Sequence, residues 1–226
     1  MGRTPLEPTE RTRIHRERHL AVDDRAALHA LLEEALVAHL GLVRDGHPVV
    51  IPTAFAVDPD GPDADGTLYV HGSVAAGWLD GTAGSEVCVT VTLLDGLVTA
   101  RSGFNHSMNY RSAVVLGRAR LVDDPDERAH ALALIVEHLV PGRTATLRPD
   151  TRKELAATLV LAVSLRETSL KVRVGGPEDE PEDVAAGTWG GHLPLRLVAG
   201  ELVNDRATDA PAPDDVVRRA ADLGAR

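Results

Sequence analysis

Apolar residues recur along this chain with two different periods, and the changes of period divide it into elements. Leu28, Leu31, Leu32, Ala35, Leu36 and Leu40 follow helical spacing after Asp23 and Asp24, either of which can cap a helix. That helix is expected to run to about residue 40 and to stop at Gly41. A strand over about 41–44, an Asp45-Gly46 turn and a strand over 47–57 follow as a hairpin. Residues 58–66 (DPDGPDADG) are a loop by composition. Leu68–Val70 read as a short strand ending in His71-Gly72-Ser73. Residues 86–94 and 97–101 are expected to form a second hairpin around Asp95-Gly96, and 111–122 the longest strand, after a polar loop. Asp124, Pro125 and Glu127 open a second long helix with Ala129, Leu132, Ile135, Val136 and Leu139 inward; Pro141-Gly142 stops it. A short helix near 150–157 precedes strands at about 158–165 and 168–175.

Seven or eight strands, mostly joined by short turns and flanked by helices, predict a mainly β fold built on a small barrel with peripheral helices. A doubly wound sheet would alternate strand and helix throughout, and this chain does not. Three regions are expected: a basic arm over 1–19, the barrel domain over 20–176, and an acidic linker with a C-terminal tail over 177–226.

Composition narrows the functional classes. At 226 residues and 43% hydrophobic, the chain can bury a core, and with aromatics at 3% that core is mostly Val, Leu and Ala. A net charge of −10 argues against nucleic acid as a partner, although Arg3, Arg11, Arg13, Arg16 and Arg18 make the arm basic. Cys88 is the single cysteine, which suits a reducing, cytoplasmic location. No apolar run reaches the length of a membrane span, so no membrane partner is expected.

No dinucleotide fingerprint, P-loop, nucleophile elbow or zinc-protease motif is present. His15 and His19 are four apart, but their Arg-rich setting repels a cation, so no metal site is assigned. Cys88 lies in an alternating strand (VCVTVT) and reads as a buried thiol rather than a nucleophile. His71-Gly72-Ser73 offers close backbone approach and a hydroxyl, which suits a phosphate as well as a plain turn. Asn105 to Arg111 is a dense polar run containing Met108 and Tyr110, and a ligand or subunit interface is expected there.

Several stretches, in order, resemble one family: HLGLVRDGHPVVIPTAFA (39–56), LYVHGS (68–73), VCVTVTLLDGLVTARS (87–102), HSMNYRSAVVLGRARL (106–121), SLKVR (169–173) and WGGHLPL (189–195). They are similar to the FMN-binding split-barrel flavoproteins related to pyridoxamine 5'-phosphate oxidase, in the nitroimidazole-reductase-like branch. The resemblance implies a split β-barrel homodimer with FMN at the subunit interface. It places the cofactor against Pro52, Thr53, Ala54 and Phe55, its phosphate at His71, Gly72 and Ser73, and a dimer-side wall at Tyr110, Arg111 and Ser112. The implied activity is FMN-dependent oxidoreduction, with hydride from a nicotinamide donor and electrons passed to a small, nitro-aromatic acceptor; His71 and His106 are the proton-donor candidates. Where relatives carry a phosphate-binding Arg, this chain has Gly77, with Asp80 nearby, and Asn105 replaces a frequent His. Arg111 of a partner chain is one replacement for that cation. These departures support an alternative, a non-catalytic flavin- or haem-binding sensor. Haem and deazaflavin are the other cofactors found on this fold.

Overall fold

The computed structural model describes residues 5–77 and 81–224. Arg3 and Asp80, named above for their charges, lie outside them. Ten strands and five α-helices are present among the described residues. The strands are β1 (Ala38–Arg44), β2 (His47–Thr53), β3 (Phe55–Asp58), β4 (Thr67–Ser73), β5 (Glu86–Thr99), β6 (Ser107–Arg118), β7 (Arg120–Leu121), β8 (Thr158–Ser164), β9 (Glu167–Arg173) and β10 (Gly191–Pro194). The helices are α1 (Arg25–Glu34), α2 (Pro125–Leu139), α3 (Arg152–Ala157), α4 (Pro181–Ala185) and α5 (Asp214–Gly224). One sheet runs β2-β1-β5-β6-β9 with β10 added to β5; the other runs β3-β4-β8-β7. Their pairings are antiparallel, and the two sheets are the halves of a split β-barrel.

The sheets enclose one core in which Leu40, Val89, Val91 and Val115 of the first meet Phe55, Leu68, Val70 and Leu161 of the second, with Leu28, Leu31 and Leu32 of α1 closing an end. A second cluster lies where Ala131 and Ile135 of α2 cover Tyr69, Val160 and Ala162. Asp124 caps α2 by accepting from the backbone N–H of Asp126 and Glu127, and Pro125 starts the helix. The Tyr69 hydroxyl donates to Glu127, whose carboxylate also holds Arg120.

Four expectations are corrected. The first helix ends at Glu34 rather than near 40, because Ala35 already has extended backbone angles. Leu40 and Gly41 belong to β1, where Ala38, Leu40 and Leu42 point inward. Leu36 and Leu40 are four apart, and that spacing suits a helix and a strand equally. The strand expected over 47–57 breaks at Ala54, and its two pieces enter different sheets. Asp95-Gly96 is no hairpin: β5 runs through it with a register shift at Leu94/Gly96. Asp45 and Gly46 do take positive φ, 51° and 77°, as a tight turn requires. Gly96 is needed for a different reason, since a Cβ there would lie 2.9 Å from the Leu193 carbonyl of β10. Finally, Ser107–Tyr110 are strand rather than loop: β6 starts at Ser107 and ends at Arg118, and β5 is longer than β6.

The segments beyond the barrel are attached. Thr9 donates to Glu167 and Arg11 pairs with Glu86 and Glu167, so the basic arm lies along the barrel. Arg101 holds the acidic linker through two hydrogen bonds to Asp179 and one to the Thr188 carbonyl.

Candidate functional site

The passage from sheet to sheet builds the first part of the site. Thr53 is the last residue of β2 and Phe55 the first of β3, with the Thr53 hydroxyl donating to the Ala54 carbonyl. Phe55 pairs with Val70, which brings Ala54 alongside His71. Pro52–Phe55 and His71–Ser73, two stretches expected at one cofactor, are therefore neighbours. The Phe55 side chain is fully buried and packs on His138, with ring centroids 4.9 Å apart, so it offers a ligand only its backbone. Ser73 accepts from the Ala75 N–H and starts a single 3-10 turn that ends at Gly77. Gly77 has φ +66°, a conformation that side chains with a Cβ rarely adopt. Its missing side chain faces a guanidinium: a Cβ at Gly77 would lie 3.6 Å from Nη2 of Arg44. Arg44 ends β1, and among the described residues its one ion pair is a 3.8 Å contact with Asp45. A cation thus stands beside Gly77 after all, delivered by the first hairpin.

His71 turns the other way, toward α2. It lines a cavity of about 420 Å³ with Leu132, Ile135, Val136, Leu147 and Leu155, and with Arg148 and Glu154, which pair with each other at 2.6 and 2.9 Å. Its Nδ1 is buried without a hydrogen-bond partner among the described residues, and burial lowers the imidazole pKa. A buried polar atom left without a partner costs free energy, and a ligand is a common reason for one. A neutral imidazole in an apolar cavity is also the form that binds a metal or a haem iron.

Tyr110, Arg111 and Ser112 lie elsewhere in the same chain. Thr53 pairs with Ala38, Ala38 with Val91, and Val91 with Ala113, so β2 and β6 are three strand spacings apart, roughly 14 Å. The Arg111 guanidinium is occupied by Glu34, at 2.5 and 2.9 Å, and by Asp95, at 2.8 and 3.0 Å, and these carboxylates raise its pKa further. Ser112 sits between Thr92 and Lys171. Tyr110 and His106 share a shallow polar cavity of about 320 Å³ with Arg16, His19, Phe104, Lys171 and Arg173. His106 Nδ1 lies 2.8 Å from the Ser102 carbonyl. A carbonyl only accepts, so Nδ1 carries the proton and Nε2 is left to give or take one.

Several residues here carry no local signal. Arg44 lies far from Gly77 in sequence, and Lys171 and Arg173 join Tyr110 only through β6–β9 pairing. Burial pushes the Cys88 thiol pKa up, as a strand thiol requires. Among the described residues no group of three His, Cys, Asp or Glu is placed to hold a metal ion, and no helix is long and apolar enough to cross a membrane.

The family model described as pyridoxamine 5'-phosphate oxidase matches residues 24–172. The flavocytochrome Anf3 from Azotobacter vinelandii is 38% identical over 95% of this chain and 98% of its own, with a TM-score of 0.86. The FAD and haem binding protein from Mycobacterium smegmatis is 40% identical over 89% of this chain and 97% of its own, with a TM-score of 0.81. A Bacteroides thetaiotaomicron protein named for 5-nitroimidazole antibiotic resistance shares the fold at 22% identity and a TM-score of 0.53, over 67% of this chain and 86% of its own. No curated protein matches.

Proposed function

The chain belongs to the pyridoxamine 5'-phosphate oxidase family, and from that premise we propose that it is a flavin-dependent oxidoreductase that also holds a haem at His71. The observation that carries this reading is the buried, unpartnered Nδ1 of His71 in an apolar cavity next to the Gly72-Ser73 backbone. Two relatives of high overall similarity are a flavocytochrome and an FAD and haem binding protein.

The residues present fit both groups. About 420 Å³ with leucine, isoleucine and valine walls lies within the ~300–1,000 Å³ usual for cofactor pockets. For the flavin, Pro52–Phe55 supply backbone, Ser73 a hydroxyl, and Arg44 a cation for the phosphate of FMN or for FAD. Gly77 favoured a degenerate, non-catalytic site; Arg44 removes that reason.

When bound, a flavin supplies one- and two-electron transfer and a haem one-electron transfer. The chain's own groups then bind and orient. His71, kept neutral by burial, ligates. Arg44 holds the anionic end. His106, fixed by Ser102, exchanges a proton at Nε2, and Tyr110 lies in the same cavity to orient a small acceptor such as a nitro-aromatic. A homodimer completes the cleft: Leu94, Leu97, Met108 and Leu193, all of β5, β6 and β10, are at least 44% exposed, an apolar face suited to a second copy.

Absorption spectra of the purified protein, reconstituted with haemin and flavin, test the reading. Both a flavin spectrum and a Soret band are expected, and His71→Ala should abolish the Soret band while retaining the flavin. Failure of haemin to bind, or a Soret band unchanged in His71→Ala, refutes the assignment.

A further inference from the structure

A cavity lies on the other side of α2, away from His71. It holds about 570 Å³ and is framed by α1, the start of the β3–β4 loop, α2 and the C-terminal helix α5. Its walls are apolar: Leu32, Ala56, Val57, Pro59, Leu134 and Pro141. Two histidines line it. His138 lies 2.6 Å through Nε2 from the Ala35 carbonyl, which can only accept, so its Nδ1 is an unprotonated acceptor. His29 has its Nε2 buried with no partner among the described residues.

The frame is closed by α5 through one side chain. Arg219 is only 8% exposed, and its guanidinium donates to the Leu139 carbonyl at 2.8 Å and the His138 carbonyl at 3.3 Å, the free carbonyls at the end of α2. Asp215 of the same helix is buried beside Arg143, at 3.4 Å. α5 is therefore docked on α2 by charge, and it brings Asp222 to the cavity mouth.

The polar groups of the lining are mostly acceptors. Glu137 is taken up by the N–H groups of Gly142 and Thr144 and by the Thr144 hydroxyl. Glu33 and Asp222 are exposed and form no ion pair among the described residues. Arg219, the one arginine or lysine of the lining among the described residues, is occupied by carbonyls. Around His29, Asp60 opposes Arg25, which itself pairs with Asp65. Acceptors and carboxylates above apolar walls repel phosphates and propionates, so this cavity suits neither the flavin nor the haem of the reading above. It suits a donor-rich cation.

We propose that the cavity under α5 is a second small-molecule site, taking an organic amine with an apolar body whose ammonium sits between Glu33 and Asp222. The amine enters as substrate, product or effector. It binds only with α5 docked, because that helix supplies one wall and one carboxylate.

A charge series with one body tests this by calorimetry on the full chain: phenethylamine, phenethyl alcohol and hydrocinnamate. Phenethylamine should bind about tenfold more tightly than the alcohol, and hydrocinnamate most weakly. Glu33→Gln or Asp222→Asn should each weaken the amine about threefold, as expected for exposed carboxylates, and the double variant should erase its advantage over the alcohol. Flavin and haemin binding should be unchanged in these variants, which separates this site from the His71 reading. Arg219→Ala should release α5 and lose the amine and the alcohol together. Equal affinity for amine and alcohol, or an advantage that survives the double variant, overturns the proposal.

Discussion

Replacing His71 with leucine should make the cofactor-free protein more stable while destroying haem binding. The argument rests on one atom. Nδ1 of His71 is buried without a partner, and a polar atom in that state costs ~1–3 kcal/mol relative to a satisfied or absent one. The imidazole is only half-buried, so the low end applies, about 1 kcal/mol. Leucine also adds apolar contact with Leu132, Ile135 and Val136 in the same cavity. For a chain of this length, ~1 kcal/mol corresponds to a melting midpoint about 2–4 °C higher. Differential scanning calorimetry of cofactor-free wild type and His71→Leu measures it, with haemin titration alongside. An ordinary buried residue would behave the opposite way, since most core substitutions destabilise. A variant destabilised by more than ~1 kcal/mol in the cofactor-free state would mean that the ring is held by native contacts and is not waiting for a ligand, and the reasoning would fail.

Three further outcomes follow from the site. His29, His71 and His138 all have pKa values lowered from 6.5 by burial, so the unfolded chain binds protons first. Stability is then fully present above pH 6.5 and declines as pH falls through the lowered values; a urea midpoint that rises on acidification from pH 6.5 would contradict this. Arg44→Ala should weaken flavin binding by ~1–2 kcal/mol, about five- to thirtyfold, measured by flavin fluorescence quenching, whereas Gly77→Arg should bring no gain because φ +66° strains any side chain there; unchanged affinity in Arg44→Ala would remove it from the phosphate site. His106→Ala should keep the melting midpoint, because the ring is exposed, and lower turnover with a nitro-aromatic acceptor by ~10²-fold, with Tyr110→Phe separating hydroxyl from ring; full activity in both would leave that cavity without a chemical role.

What could be seen in the sequence depended on whether one element or several determined the outcome. Asp45-Gly46 and Asp95-Gly96 look alike along the chain. The first is a turn because the flanking strands pair with each other. The second is overridden, because β6 pairs along both halves of β5 and β10 then needs a residue without a side chain at Gly96. α2 was legible from its cap, its proline and its apolar stripe, all within one segment. α5 was not read, although its apolar and charged residues do segregate at helical spacing: the residues it buries are Asp215 and Arg219, so its docking is carried by charge, which an apolar stripe does not mark.

The same distinction governs the site. His71-Gly72-Ser73 is contiguous on one strand, so its chemistry could be listed from the sequence. Whether His71 is satisfied depends on α2 and the 144–158 segment, which form its cavity from far along the chain. Arg111 shows the reverse case. As an isolated arginine in a polar run it was free to hold a phosphate, but α1 and β5 bring Glu34 and Asp95 to it, and two carboxylates hold it in four hydrogen bonds. To release that guanidinium toward an anion would take its four hydrogen bonds from two partly buried carboxylates, a cost that one phosphate contact does not offset. Among the described residues Arg44 has one ion pair, to Asp45 at 3.8 Å. Between two arginines that sequence alone could not rank, Arg44 has the weaker partners among the described residues, which is why the proposal gives the anion to it.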